Sequence, residues 1–158
     1  MDTVVVLTGK NLERIFLEGG SGDWRANINT IANCKYIVAV ANSKSPHFDK
    51  HSIEMHQHAF LVGKVTGTFK LNDRIVIEFD EYAIVDIPNA WNGQRNPVRY
   101  TDISELGIYP DQLDWKAFPK DNVKKNNDVK PLTIEDAKNG IAKMLGISPD
   151  CIEITIRA

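Results

Sequence analysis

Lys35-Tyr36-Ile37-Val38-Ala39-Val40-Ala41 is a nearly continuous apolar run rich in β-branched residues. It predicts a central strand buried on both faces. Ala59-Phe60-Leu61-Val62-Gly63-Lys64-Val65 has the same character, and Gly63 and Gly67 punctuate it. Glycine inside a strand pattern predicts a bulge or bend, the device small barrels use at their corners. Thr3–Leu7 predicts a short strand before this pair. Arg74–Phe79 alternates polar and apolar, Glu81–Ile87 predicts a further strand, and Val98–Thr101 a short one. Helical signals are fewer. Asn11 caps a helix from Leu12 to about Glu18, a turn runs through Ile28 and Ile31, and Ile103–Leu106 makes a turn that Gly107 ends. The expected fold is α+β, a small mixed and mostly antiparallel β-barrel with peripheral helices.

Residues 1–115 form the expected barrel body. The lysine-, aspartate- and asparagine-rich stretch 116–130 predicts a polar linker. Residues 131–158 then read as a helix followed by a strand. Thr133 with Asp136 makes a capping-box pattern, and Ile134, Ala137, Ile141, Met144 and Leu145 build one apolar face. Gly146 is a stop. In Cys151–Arg157, Ile152, Ile154 and Ile156 alternate with Glu153, Thr155 and Arg157, the pattern of a half-buried strand. So short a unit cannot bury enough surface to fold alone, so it is expected to dock on the body as part of a single domain.

The chain has 158 residues, of which 42% are hydrophobic and 25% charged, with net charge −2. These values exclude a disordered chain and a strongly basic nucleic-acid coat protein. The apolar runs are too short to span a membrane, and the acidic Met1-Asp2 start does not resemble a signal peptide. A cytoplasmic location is therefore expected. Cys34 and Cys151 lie next to apolar runs with no Cys-x-x-Cys spacing, which predicts two buried free thiols.

Several groupings bear on chemistry. His47, His51, His56 and His58 crowd the polar loop Asn42–His58, with Asp49 and Glu54 among them. Their spacing matches no closed zinc pattern, so they are weak metal candidates beside the simpler reading of a solvated loop. No cofactor is expected. Trp91-Asn92-Gly93-Gln94-Arg95-Asn96-Pro97-Val98-Arg99-Tyr100 gathers arginines, aromatics and amides in one turn-rich stretch. Arginine forks suit phosphate, amides read base edges, and aromatics offer stacking faces. The plainer alternative is a loop pinned by Trp91 and Tyr100. Trp24, after Gly19-Gly20-Ser21-Gly22, is placed in a loop free to approach a ligand, with core packing as the alternative. The glycine cluster lacks the Lys-Ser or Lys-Thr of a phosphate loop and ends a helix instead of opening one.

Loop Trp24, strand Tyr36–Ala41 and Ala59–Gly67 together resemble the EVE and ASCH branch of the PUA-like superfamily, over roughly residues 20–100. The resemblance implies a small, mostly antiparallel barrel that binds RNA or takes a modified base into an aromatic-lined pocket. It places Trp24 near the family's loop tryptophan and Asn42 and Ser43 at the end of the pocket strand. The stretch after Gly67 and the C-terminal unit depart from the family's minimal form.

The expected function is thus a non-enzymatic module binding a modified base, a nucleotide or single-stranded nucleic acid. Trp24, Asn42, Ser43, Trp91, Arg95, Arg99 and Tyr100 would line its pocket. A protein–protein interaction or regulatory domain without a small ligand is the alternative, with a protein partner or a homo-oligomer. A nucleoside-type hydrolase using Glu54 or a loop histidine as base is a third.

Overall fold

The computed structural model describes residues 1–49, 53–120 and 133–157. The chain forms two compact units, Met1–Lys124 and Lys125–Ala158. The first holds strands β1 (Thr3–Thr8), β2 (Ser21–Trp24), β3 (Tyr36–Ala41), β4 (Ala59–Leu71), β5 (Arg74–Ile87), β6 (Val98–Thr101) and β7 (Lys116–Ala117). Its helices are α1 (Leu12–Leu17) and α2 (Ile28–Ile31), with short 3-10 turns at Ile103–Leu106 and Pro110–Gln112.

The strands make one sheet in the order β2-β5-β4-β3-β1-β6, with β7 also on β5. Among the described residues only β1 and β3 run parallel, and every other pairing is antiparallel. The fold is therefore mixed α+β with a curled, mostly antiparallel sheet, as expected. It is a half-barrel and not a closed one: among the described residues no ladder joins β2 to β6. Parallel neighbours need a crossover, and here it is α1, β2 and α2.

β1 and β3 are buried on both faces, which explains their unbroken apolar runs. On one face α1 and α2 close a first core around Val4, Ile15, Ile31, Ile37, Leu61, Ile77 and Phe79. On the other a second core forms from Val5, Val38, Val40, Val62, Trp91 and Ile108. Leu113 and Trp115 pack against its rim. The Trp115 Nε1 donates to the Pro110 carbonyl at 2.9 Å, and the indole stacks on Tyr36.

The expected Asn11 cap forms, and Asn27 caps α2 in the same way. The Asn11 side chain accepts from the Arg14 N–H, and the Asn27 side chain accepts from Asn29 and Thr30. Gly107 adopts the left-handed conformation that ends the 103–106 turn. The stretches 74–79 and 81–87, expected as separate strands, are one 14-residue strand. It hairpins with β4 through Asn72-Asp73, whose φ values of 48° and 60° are those of a type I′ turn. The sheet bends through register shifts around Gly63, Val65 and Gly67, where the glycines had signalled them.

Lys116–Ala117 pairs with Tyr82 and Glu81, and Phe118 is buried in the first core. The first residues of the expected linker therefore belong to the sheet unit, and most of the remainder lies outside the described residues.

In the second unit α3 spans Ile134–Leu145, with the Thr133–Asp136 capping box formed and Gly146 left-handed at its end. The expected strand at Cys151–Arg157 is absent: a 3-10 turn covers Pro149–Cys151, and 152–157 join no ladder. Alternation prepares a strand but cannot supply its hydrogen-bonding partner. Cys151 is exposed, contrary to expectation, because that 3-10 turn lies at the surface; Cys34 is buried, and both are free thiols.

Candidate functional site: a groove beside Trp24

Trp24 is not in a loop. It ends β2, is buried in the first core, and its Nε1 donates to Ser21 Oγ at 3.0 Å. The glycine cluster before it is a tight fit and not a flexible approach. At Gly20, with φ of +154°, an added Cβ would lie 2.4 Å from the Ile77 carbonyl oxygen. That close passage lays β2 along β5.

Trp24 opposes Ile75 on β5, and Ile75 opposes Lys70 on β4. Directly opposed residues share a sheet face, so Trp24, Ile75 and Lys70 form one row across three strands. The row is the floor of an open groove of about 580 Å³, walled by Arg25, Ala26, Asn27, Ile28 and Asn29 at the start of α2 and by Asp73 in the hairpin turn. Arg25, Asn27, Asn29, Lys70 and Asp73 are all exposed. Nearby, Arg74 Nε stands 3.7 Å from Asp23. Among the described residues neither Arg25 nor Lys70 has an ion-pair partner. The Asn27 side-chain oxygen is engaged at the helix cap, accepting at 2.9 Å from the Asn29 N–H, which leaves its amide N–H₂ as a donor. The groove thus presents two cations, amide groups and one carboxylate beside the buried Trp24.

The other expected ligand residues are scattered. Tyr100 packs half-buried against the first core. Burial pushes its phenol pKa up, with Cys34 adding to the shift and the Asn27 backbone N–H opposing it. Tyr100 therefore lies on the groove's side of the sheet. Trp91 and Arg99 lie on the opposite face, with Trp91 in the second core. The Trp91 Nε1 donates to the Gln94 carbonyl at 3.2 Å, and the Arg99 guanidinium lies 5.7 Å from its ring centroid. Arg99 Nη2 donates to the Ala90 carbonyl at 3.0 Å, while its buried Nε has no partner. Burial lowers the Arg99 pKa, against the pull of Glu105. Trp24 and Trp91 cannot stack on one base, because the sheet stands between them. Arg95 is exposed on the loop before β6.

Asn42 and Ser43 follow β3; Ser43 is exposed, and Asn42 takes part in a different arrangement. The Asn42 N–H donates to the Thr8 carbonyl, and the Ser45 N–H to the Asn42 carbonyl. Gly9 fits closely under Ser45, where a Cβ would meet Ser45 Cβ at 3.0 Å. Asp49 accepts from the Asn11 N–H at 2.9 Å and from Arg14 Nη1 at 3.1 Å. This end of the parallel pair is closed by its own loops.

Of the histidines, His47 is exposed and His56 has a buried Nδ1 without a partner. His58 Nδ1 lies 2.7 Å from Asp86. His51 lies outside the described residues. Among the described residues no three His, Cys, Asp or Glu side chains converge as metal ligands. No described helix is long and apolar enough to cross a membrane.

Sequence reasoning found Trp24 and missed Arg25, Asn27, Asn29, Lys70 and Asp73. One available signal was Asn72-Asp73 between two strand patterns, which marks a hairpin tip and so places Lys70 opposite Ile75. Comparison with family models, curated proteins and solved structures gives no match to this chain.

Proposed function

We propose that this chain is a non-enzymatic binding module for a nucleotide or a short single-stranded nucleic acid, a modified base included, held in the Trp24 groove. The observation that carries the reading is the convergence of Trp24, Arg25, Asn27, Asn29 and Lys70 on one open groove. Arg25 and Lys70 are suited to phosphate and the amides and Asp73 to base edges, while the buried Trp24 beneath them reports on the groove by its fluorescence. A PUA-like relationship is part of this proposal. It is supported by the curled, mostly antiparallel sheet and by a tryptophan beside the groove. Trp91, Arg95 and Arg99 have no part in this site.

The test is a binding titration with mononucleotides and short single- and double-stranded oligonucleotides, followed by tryptophan fluorescence. Arg25→Glu and Lys70→Glu should each weaken single-strand binding by about tenfold, roughly 1.4 kcal/mol. Two phosphate contacts predict a log–log salt slope of about −1.4. Affinity unchanged in both variants would refute the groove assignment.

A second reading, an interaction domain without a small ligand, draws support from α3. Ile134, Met144 and Leu145 are exposed there at 56%, 78% and 59%. Absence of any saturable nucleotide or oligonucleotide binding would favour it.

A further inference from the structure

The β5 strand is paired on both sides for only part of its length. β2 covers its Ile75–Ile77 stretch, and β7 pairs with Glu81 and Tyr82. Beyond that point Ala83-Ile84-Val85-Asp86-Ile87 pairs with β4 alone among the described residues. The backbone N–H and C=O groups of alternate residues in this stretch therefore face outward along one edge. Such edges are ordinarily blunted by lysine, proline, a bulge or a covering segment. This one has no lysine, and its proline, Pro88, comes only after it; its protection is limited to the exposed Asp86 and to the register shift opposite Ala59 and Leu61, which bulges β5 between Ile84 and Ile87. Ile84 is 51% exposed. Val85 and Ile87 sit half-buried at the rim of the second core.

The C-terminal tail has the complementary deficiency. Ile152-Glu153-Ile154-Thr155-Ile156-Arg157 carries the alternation of a half-buried strand, yet joins no ladder. Its first residue already has extended dihedrals, φ −108° and ψ 125°. Ile156 is 78% exposed. A strand-patterned segment without a partner and an apolar edge without a cover are matched in chemistry and in length.

We infer that the tail of one copy of this chain adds as a strand to the Ala83–Ile87 edge of a second copy, so that two copies exchange tails. Main-chain hydrogen bonds supply the affinity in such strand addition, and alternate side chains supply the register. The isoleucine row lies beside Val85 and Ile87 and extends the second core. The Glu153–Thr155–Arg157 row then falls on the side of Asp86, where Arg157 provides the opposite charge. The exchange is reciprocal, so each dimer gains two ladders, the economy that makes segment swapping a common route to dimers. This inference is independent of the groove and of what the groove binds.

Light scattering coupled to size exclusion across a concentration series gives the mass, and amide hydrogen exchange locates the ladder. The expected result is a dimer with slowed exchange at 83–87 and 152–157. Thr155→Pro removes a tail N–H, and Ile154→Lys places a charge in the isoleucine row. Each should raise the dimer dissociation constant by about tenfold or more. Slowed exchange and an unchanged far-UV spectrum in the body of either variant would show that the sheet remains folded. A monomer at every concentration would overturn the inference, whether or not the tail amides are protected. So would a dimer that both substitutions leave intact.

Discussion

The Phe79 ring lies directly over Gly63, so that a Cβ added to Gly63 would stand 2.6 Å from Phe79 Cγ. The two residues belong to neighbouring strands where β4 and β5 shift register, between Gly63 and Val65. The aromatic ring covers the backbone that a side chain would otherwise shield, and it joins the first core with Phe118 edge-on at 5.1 Å. Gly63→Ala should therefore destabilise the protein by about 2–4 kcal/mol, because overpacking against a buried ring cannot relax without moving β4. Chemical denaturation measures this. Adding Phe79→Leu should recover part of the loss, giving a coupling of about 1 kcal/mol or more in a double-mutant cycle. Additive losses would mean that the ring does not define the space at Gly63.

Asp49 ties α1 to the loop after β3. Its carboxylate accepts from the Asn11 N–H and from Arg14. Asp49→Ala should cost about 1–2 kcal/mol in thermal or denaturant unfolding, since it leaves the Asn11 N–H without its acceptor and Arg14 with Glu18 as its remaining partner. Asp49→Asn should cost less, as the amide oxygen still accepts one of the two bonds. Equal losses would assign the effect to the charge.

Arg99 tests the separation of the two faces. Arg99→Ala removes a half-buried side chain that donates to the Ala90 carbonyl and covers Trp91. Stability should fall by about 1–2 kcal/mol. Oligonucleotide affinity at the Trp24 groove should not change, and a loss of affinity equal to that of Lys70→Glu would place the ligand on the wrong face.

Cys34 and Tyr100 make the protein sensitive to alkali. Burial pushes both pKa values up in the folded state. The unfolded chain therefore releases these protons at lower pH than the folded one, and stability falls as pH rises through the unfolded thiol and phenol values, about 8.5 and 10. Below the thiol value neither group contributes a pH dependence. Denaturation midpoints should decline above about pH 8.5. Cys34→Ser should remove the first part of that decline. A thiol reagent at pH 8 should modify exposed Cys151 quickly and Cys34 only on unfolding.

Most of the strands and helices are legible in the sequence because each is signalled locally. The apolar runs of β1 and β3, the Asn11 cap, the Thr133–Asp136 box and the left-handed glycines at 107 and 146 need no distant residue to specify them. The groove is not local. Trp24, Lys70 and Asp73 come from β2, β4 and the hairpin turn, and they meet only because β5 pairs on both sides at Ile75. The stretch Trp91–Tyr100 shows the converse. Its residues adjoin in sequence, yet alternation along β6 sends Arg99 and Tyr100 to opposite faces.

The sequence alone determined the α+β class, the Asn11 and Thr133 caps and the glycine stops, the bends at Gly63 and Gly67, and the burial of β1 and β3. These follow from dihedral preference, capping chemistry and hydrophobic periodicity, all of which act over a few residues. Tertiary structure decided that the sheet stays open, that Trp24 is a core residue at the edge of a groove, that Trp91 lies on the other face, and that the C-terminal isoleucines form no strand within one copy. Each of those depends on pairing between distant segments. A strand exists only where another backbone meets its hydrogen-bonding groups, and no single segment contains that information.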